Sequence, residues 1–152
     1  MTFFSRKSPR IPQYDYATEN YYFITICTHN KACIFGKPSN LNYLGKVAEK
    51  QILQISQHFS QVRIDKYVVM PNHIHMILIL SGTKSHNLSQ IVGLYKSGVT
   101  RQIHRAGSDI VVWQRSFHDR VIRNQQEYEK IWLYIHGNPG KWDEDCYNCE
   151  DV

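Results

Sequence analysis

The sequence predicts an α+β sandwich in the order β-α-β-β-α-β, with a central antiparallel sheet and one further helix at its C-terminal end. Three observations predict it. Runs of β-branched and aromatic residues alternate with stretches whose apolar residues recur at helical spacing. The run "HIHMILIL" (73–80) is apolar on both of its alternating faces, which marks a central strand covered on both sides. After the last strand, "NQQEYEKIWLYIHGNP" (124–139) supplies a helix left over for the second face of the sheet.

Taken in order, residues 1–14 form a basic arm in which Pro9 and Pro12 break regular structure. "YYFITICTHN" (21–30) is the first strand. "SNLNYLGKVAEKQILQISQHF" (39–59) opens on a polar cap and carries Leu41, Leu44, Ala48, Ile52 and Ile55 at helical spacing. "VRIDKYVVM" (62–70) is the second strand, and the third follows a turn at Pro71 and Asn72. Leu88, Ile91, Val92, Tyr95 and Val99 line a second helix over 87–105. "IVVWQRSFHDRVI" (110–122) is the fourth strand, bent or interrupted around Ser116. In the last helix Asn124 and Glu127 form a cap pair, and Tyr128, Ile131, Trp132 and Ile135 form the apolar stripe. Gly137, Pro139 and Gly140 stop it. The order is that of a ferredoxin-like fold, with its one folded domain over 15–142 and an acidic tail over 143–152.

Length and composition agree. A chain of 152 residues with 42% hydrophobic content suits one domain with its own core. No stretch approaches the ~18–20 unbroken apolar residues of a membrane span, and "MTFFSRKSPRIP" lacks the apolar core of a signal peptide. A cytoplasmic location is therefore expected, with the four cysteines as reduced thiols. "CYNC" (146–149) would be half a zinc site, but Cys27 and Cys33 are spaced too far apart to complete it.

Charge points to a partner. Setting aside three basic residues of the arm and five acidic ones of the tail raises the net charge from +5 to +7 for the rest. Lys96, Arg101, Arg105, Arg115, Arg120 and Arg123 concentrate the excess. A polyanion, nucleic acid first, fits such a surface, and these six are the candidates for backbone contacts.

The chemistry-bearing residues lie on the third strand and the last helix. His73 and His75, two apart, project two imidazoles from one face. That suits a divalent metal, and equally two half-exposed histidines at a strand mouth. A hydrolase site needing a third histidine is excluded, because the next same-face position is Ile77. At about 100° per residue, Tyr134 and Asn138 lie within about 40° of each other at the rim of the helix's apolar stripe. A phenol and a carboxamide oxygen beside two imidazoles make a metal site with an adjacent nucleophile.

These residues carry a family resemblance. The blocks "RIPQYDYATENYYFITICTHN", "VVMPNHIHMILI", "IVGLYKS" and "VWQRSFHDRVIRN…YIHGNP" together span most of residues 10 to 142. They resemble the single-tyrosine HUH endonucleases, and within them the REP-associated tyrosine transposases. The H-x-H alone is weak; joined to a downstream Y-I-x-x-N-P it is specific. The resemblance implies that His73, His75 and Asn138 are metal ligands and that Tyr134 is the nucleophile. It also implies Mg2+ or Mn2+ as cofactor, although two imidazoles would accept zinc.

A DNA transposase and strand transferase follows from the resemblance, acting on single-stranded or hairpin DNA as a monomer or homodimer. A tyrosine hydroxyl ionises near pH ~10, so its attack on phosphorus needs assistance, which a divalent Lewis acid provides. The resemblance supplies the polarity: a 5′-phosphotyrosine and a released 3′ hydroxyl. Two other readings stand beside it. One is a domesticated hairpin-binding protein that does not cut. The other is a metal-dependent phosphodiesterase that uses water, with Tyr134 structural.

Overall fold

A computed structural model describes residues 19–81 and 87–144. The basic arm, the acidic tail from 145 onward and "CYNC" lie outside the described residues. Strand β1 (Glu19–Cys27) is followed by a small hairpin, β2 (Gly36–Lys37) and β3 (Asn40–Leu41), and by helix α1 (Tyr43–His58). Strands β4 (Val62–Met70) and β5 (His73–Ser81) form the central hairpin. Helix α2 (Leu88–Arg105), strand β6 (His118–Val121) and helix α3 (Gln125–Gly137) complete the order, and a 3-10 turn continues over Asn138–Glu144. The main sheet runs β4-β5-β1-β6, and all its pairings are antiparallel. The predicted β-α-β-β-α-β sandwich with its added helix is the fold observed.

The two faces of β5 explain the layers. Ile74, Met76, Leu78 and Leu80 meet Ile52 and Ile55 of α1 and Ile91, Tyr95 and Val99 of α2 in the larger core. Ile77 and Ile79 face the other way, into a smaller core with Tyr21, Ile122, Ile131 and Ile135. Helix α3 thus covers the second face, over β4 and β5. Two polar pins hold it to β4. Tyr128 donates to Asp65 Oδ2, and Lys66 Nζ sits 3.1 Å from His136 Nδ1 and 4.1 Å from the Trp132 ring centre. Asp65 lies at a β-bulge between Ile64 and Lys66.

Asparagine caps all three helices, each side chain accepting from a backbone N–H: Asn42 from Gly45, Asn87 from Gln90, Asn124 from Glu127. The Asn124–Glu127 pair differs from a capping box in one respect. Glu127 Oε1 accepts from Arg123 N at 2.7 Å, one residue before the cap.

Several expectations change. The fourth strand is only His118–Val121; the segment before it keeps backbone bonds to the end of β1, His29 N to Val112 O and Gln114 N to Cys27 O, and is otherwise held by α2. Lys96 Nζ donates to Gln114 O and Ser116 O, Trp113 Nε1 donates to Lys96 O, and Ser116 adopts a positive φ of 69°. Trp113 keeps a single bridge to Thr28. Gly137 and Pro139 do not stop the chain sharply, since Asn138 stays helical and leads into the 3-10 turn. The hairpin at 36–41, built on Gly36 at φ +85°, was not anticipated. Cys27 is buried and forms no disulfide.

Candidate active site

His73 and His75 stand side by side at the start of β5, fully and almost fully buried, with ring centres 4.6 Å apart. Each is held at Nδ1. His73 Nδ1 lies 2.8 Å from Asn72 Oδ1, and His75 Nδ1 lies 2.9 Å from Thr25 Oγ1 on the neighbouring strand. Asn72 is itself fixed, since its Nδ2 donates to Lys31 O and its carbonyl accepts from Thr28 N. These contacts leave Nε2 as the remaining nitrogen of each ring. Neither Nε2 takes a hydrogen bond, and both are buried. Burial, reinforced by His73 alongside, lowers the His75 imidazole to about 3, so it is neutral at physiological pH.

Tyr134 leans over this pair. Its ring centre is 5.2 Å from that of His75 and 6.3 Å from that of Phe23, edge-on to the latter, while the residue stays 45% exposed. The ring is thus packed on one side and open on the other. Four residues later Asn138 is buried, and its Oδ1 makes no hydrogen bond. The 3-10 turn that begins there brings the Trp142 ring to 6.2 Å from His73.

Two imidazoles and a carboxamide oxygen are the donors on offer to a divalent metal. Neutral imidazole and carboxamide oxygen are both ligands such ions accept. A buried amide oxygen with no hydrogen bond is costly unless something else satisfies it. Among the described residues no group of three His, Cys, Asp or Glu side chains could hold a metal. Asn138 therefore decides whether a third protein ligand exists, and its buried oxygen fits that role.

The basic residues divide between the two faces. Arg101 and Arg105 line an open cavity of about 650 Å3 on α2, with His104 and Trp113, on the sheet face opposite the histidines. Lys96 borders it too, but its ammonium is spent on two backbone carbonyls, and burial lowers its pKa. Arg120 lies on β6, 3.7 Å from Glu127. Arg115 and Arg123 are exposed on either side of that strand. Thr25, Phe23, Asn72 and Trp142 were missed in the sequence. Only Asn72 had a visible signal there, a carboxamide directly before the first histidine.

The family model for IS200-like transposases matches residues 17–138. The chain belongs to that family. Its pattern runs from β1 to Asn138 and so takes in the histidine pair and Tyr134. An uncharacterised protein of Haemophilus influenzae is 36% identical over 164 residues, covering 92% of this chain and 91% of the relative. Among solved structures, a REP-associated tyrosine transposase bound to a REP hairpin is similar in fold, with a TM-score of 0.63 and 21% identity. The match covers 85% of this chain and 72% of that one. A provisionally assigned transposase of Deinococcus radiodurans R1 gives a TM-score of 0.56 at 16% identity, over 86% of this chain and 96% of that one. Among the described residues no helix is long and apolar enough to cross a membrane.

Proposed function

We propose that this transposase nicks and rejoins single-stranded DNA at hairpin elements, with Tyr134 as nucleophile and His73, His75 and Asn138 as metal ligands. The observation that carries the reading is the position of Tyr134. Its ring rests on His75, its open side faces solvent, and the buried oxygen of Asn138 lies one helical turn on. Hairpin DNA as the partner draws support from the hairpin-bound transposase of the same fold.

In the step proposed, Tyr134 Oη forms a bond to phosphorus as the P–O3′ bond breaks. The tyrosine loses its proton and the departing 3′ oxygen gains one. The 5′ phosphate remains on the protein as a phosphodiester, so a 3′ hydroxyl can reverse the reaction on another strand with no ATP. Mg2+ or Mn2+ on the three ligands would supply Lewis-acid polarisation of the phosphate. Asn72 and Thr25 hold the imidazoles in place, and Phe23 backs the tyrosine ring.

The test is a panel of labelled single strands from DNA flanking the gene, incubated with manganese and run on a denaturing protein gel. Wild type should give a labelled protein band, and Tyr134→Phe should fold, bind and give none. Cleavage without adduct would favour the water-using phosphodiesterase, and binding without cleavage the domesticated binder. Adduct of wild-type yield in Tyr134→Phe would remove Tyr134 from its role.

A further inference from the structure

Helix α3 closes the catalytic face on one side only. Its pins to Asp65 and Lys66 and its packing on Ile77 and Ile79 lie toward β4 and β5. Tyr134 projects from the opposite flank, toward β1, with Phe23 and His75 beneath it. Among the described residues β6 lies beyond β1 and ends the sheet. In the register of that pair Thr25 faces His118 and Phe23 faces Arg120. Directly opposed side chains share a sheet face at about 5 Å between Cβ atoms. His118 therefore adjoins the threonine that holds His75, and Arg120 adjoins the ring on which Tyr134 leans.

Both residues are exposed, whereas Ile122, the next residue on that face, is buried beneath α3. Asp119, the acid of this strand, pairs with Ile24 and points to the other face. The open lip beside Tyr134 is thus one imidazole and one guanidinium. The carboxylate beside them is Glu127, in a partly exposed ion pair with Arg120 that a phosphate can displace.

We infer that the outer face of β6, through His118 and Arg120, carries the single-stranded segment flanking the scissile phosphate into the site. The inference rests on the DNA-cleaving reading above and adds to it a direction of entry and a contact residue, His118. Donors on an open edge beside a half-exposed nucleophile suit the phosphates of one extended strand.

The experiment uses the full chain carrying Tyr134→Phe, so that binding is read without cleavage. Anisotropy is measured on a DNA hairpin with a 5′ single-stranded extension, on one with a 3′ extension, and on the same hairpin with a blunt stem. Adding His118→Ala or Arg120→Gln should weaken binding to one extended hairpin by about tenfold and leave the blunt one unchanged. His118→Lys, which puts an N–H donor back at that position, should recover most of the loss. Equal losses on blunt and extended probes, or no loss on either extended probe, would overturn the proposal while leaving the cleavage reading intact. If the Tyr134→Phe protein bound none of the three, the DNA-cleaving reading would fall first and this one with it.

Discussion

Asn72 Oδ1 lies 2.8 Å from His73 Nδ1 while Nδ2 of the same carboxamide donates to Lys31 O. The second bond fixes which way the amide points, so the first can only be received by its oxygen. His73 must then carry its proton on Nδ1 and present a lone pair at Nε2. His75 has no such constraint. Its partner, the Thr25 hydroxyl, can donate or accept, so His75 can hold either tautomer. Nitrogen NMR of the metal-free protein should find His73 unprotonated at Nε2 and His75 in a mixture. Asn72→Ala should release the first constraint and weaken manganese binding by about 10–100-fold. Thr25→Ser should be close to neutral for the metal. A mixed tautomer at His73 in wild type would refute the asymmetry.

The ligand set makes a graded prediction. His73→Ala and His75→Ala should lose divalent-metal binding and cleavage together. Asn138→Ala should be milder, with part of the activity returning at high manganese. Asn138→Asp keeps an oxygen but buries a charge, so the metal-free variant should melt lower than wild type and recover when manganese is added. A manganese titration of nicking rate compares the variants. If Asn138→Ala matched wild type at limiting metal, the third ligand would have to come from elsewhere.

Acid stability follows from His75. Its folded-state pKa is lowered to about 3, below the ordinary imidazole value, so the unfolded chain binds the extra proton first. The associated stability is complete above pH ~6.5 and is lost as pH falls toward 3, at a slope of up to about 1.4 kcal/mol per pH unit. Urea melts of the metal-free protein between pH 7 and 4 should show the decline, and His75→Gln should flatten it. An unchanged slope in that variant would assign the acid sensitivity to another group.

Lys96 should behave unlike the arginines near it. Its ammonium bonds to Gln114 O and Ser116 O, so Lys96→Met should lower stability by about 1–3 kcal/mol and leave the salt dependence of DNA binding unchanged. Arg101→Gln and Arg105→Gln should do the reverse, each lowering the log–log salt slope by ~0.7–0.9 if it contacts a phosphate. Melting curves and anisotropy at several salt concentrations separate the two classes. A Lys96→Met protein with normal melting and a reduced slope would return Lys96 to the DNA surface.

What the sequence made legible was periodicity. Alternation along 73–80 told which residues of β5 face which layer, and the stripe on 124–139 told which helix covers the histidines. What it hid was register. Nothing in the order of residues says that Thr25 lies across from His75, or that His118 lies across from Thr25; both follow from pairings some fifty and ninety positions apart. The segment 110–117 misled for a related reason. Its β-branched residues read as strand, but Gln114 O and Ser116 O accept from Lys96, a partner on a helix whose charge suggested a surface role. Tyr134 and Asn138 were legible because helical geometry alone links them.

The bulge at Asp65 makes β4 a strand with two phases. Before it Val62 and Ile64 face the larger core; after it Tyr67 and Val69 do, while Lys66 and Val68 turn toward α3. One residue thus works like a frame shift in side-chain space. Losing Asp65 would take out the one unpaired residue and leave the pairing on both sides of it intact. Ile64 opposite Leu78 and Lys66 opposite Ile77 would become consecutive pairs of a regular strand, every side chain would keep its present face, and the acceptor for Tyr128 would be gone. What Asp65 adds is therefore a grip on helix α3 rather than the phase of the strand.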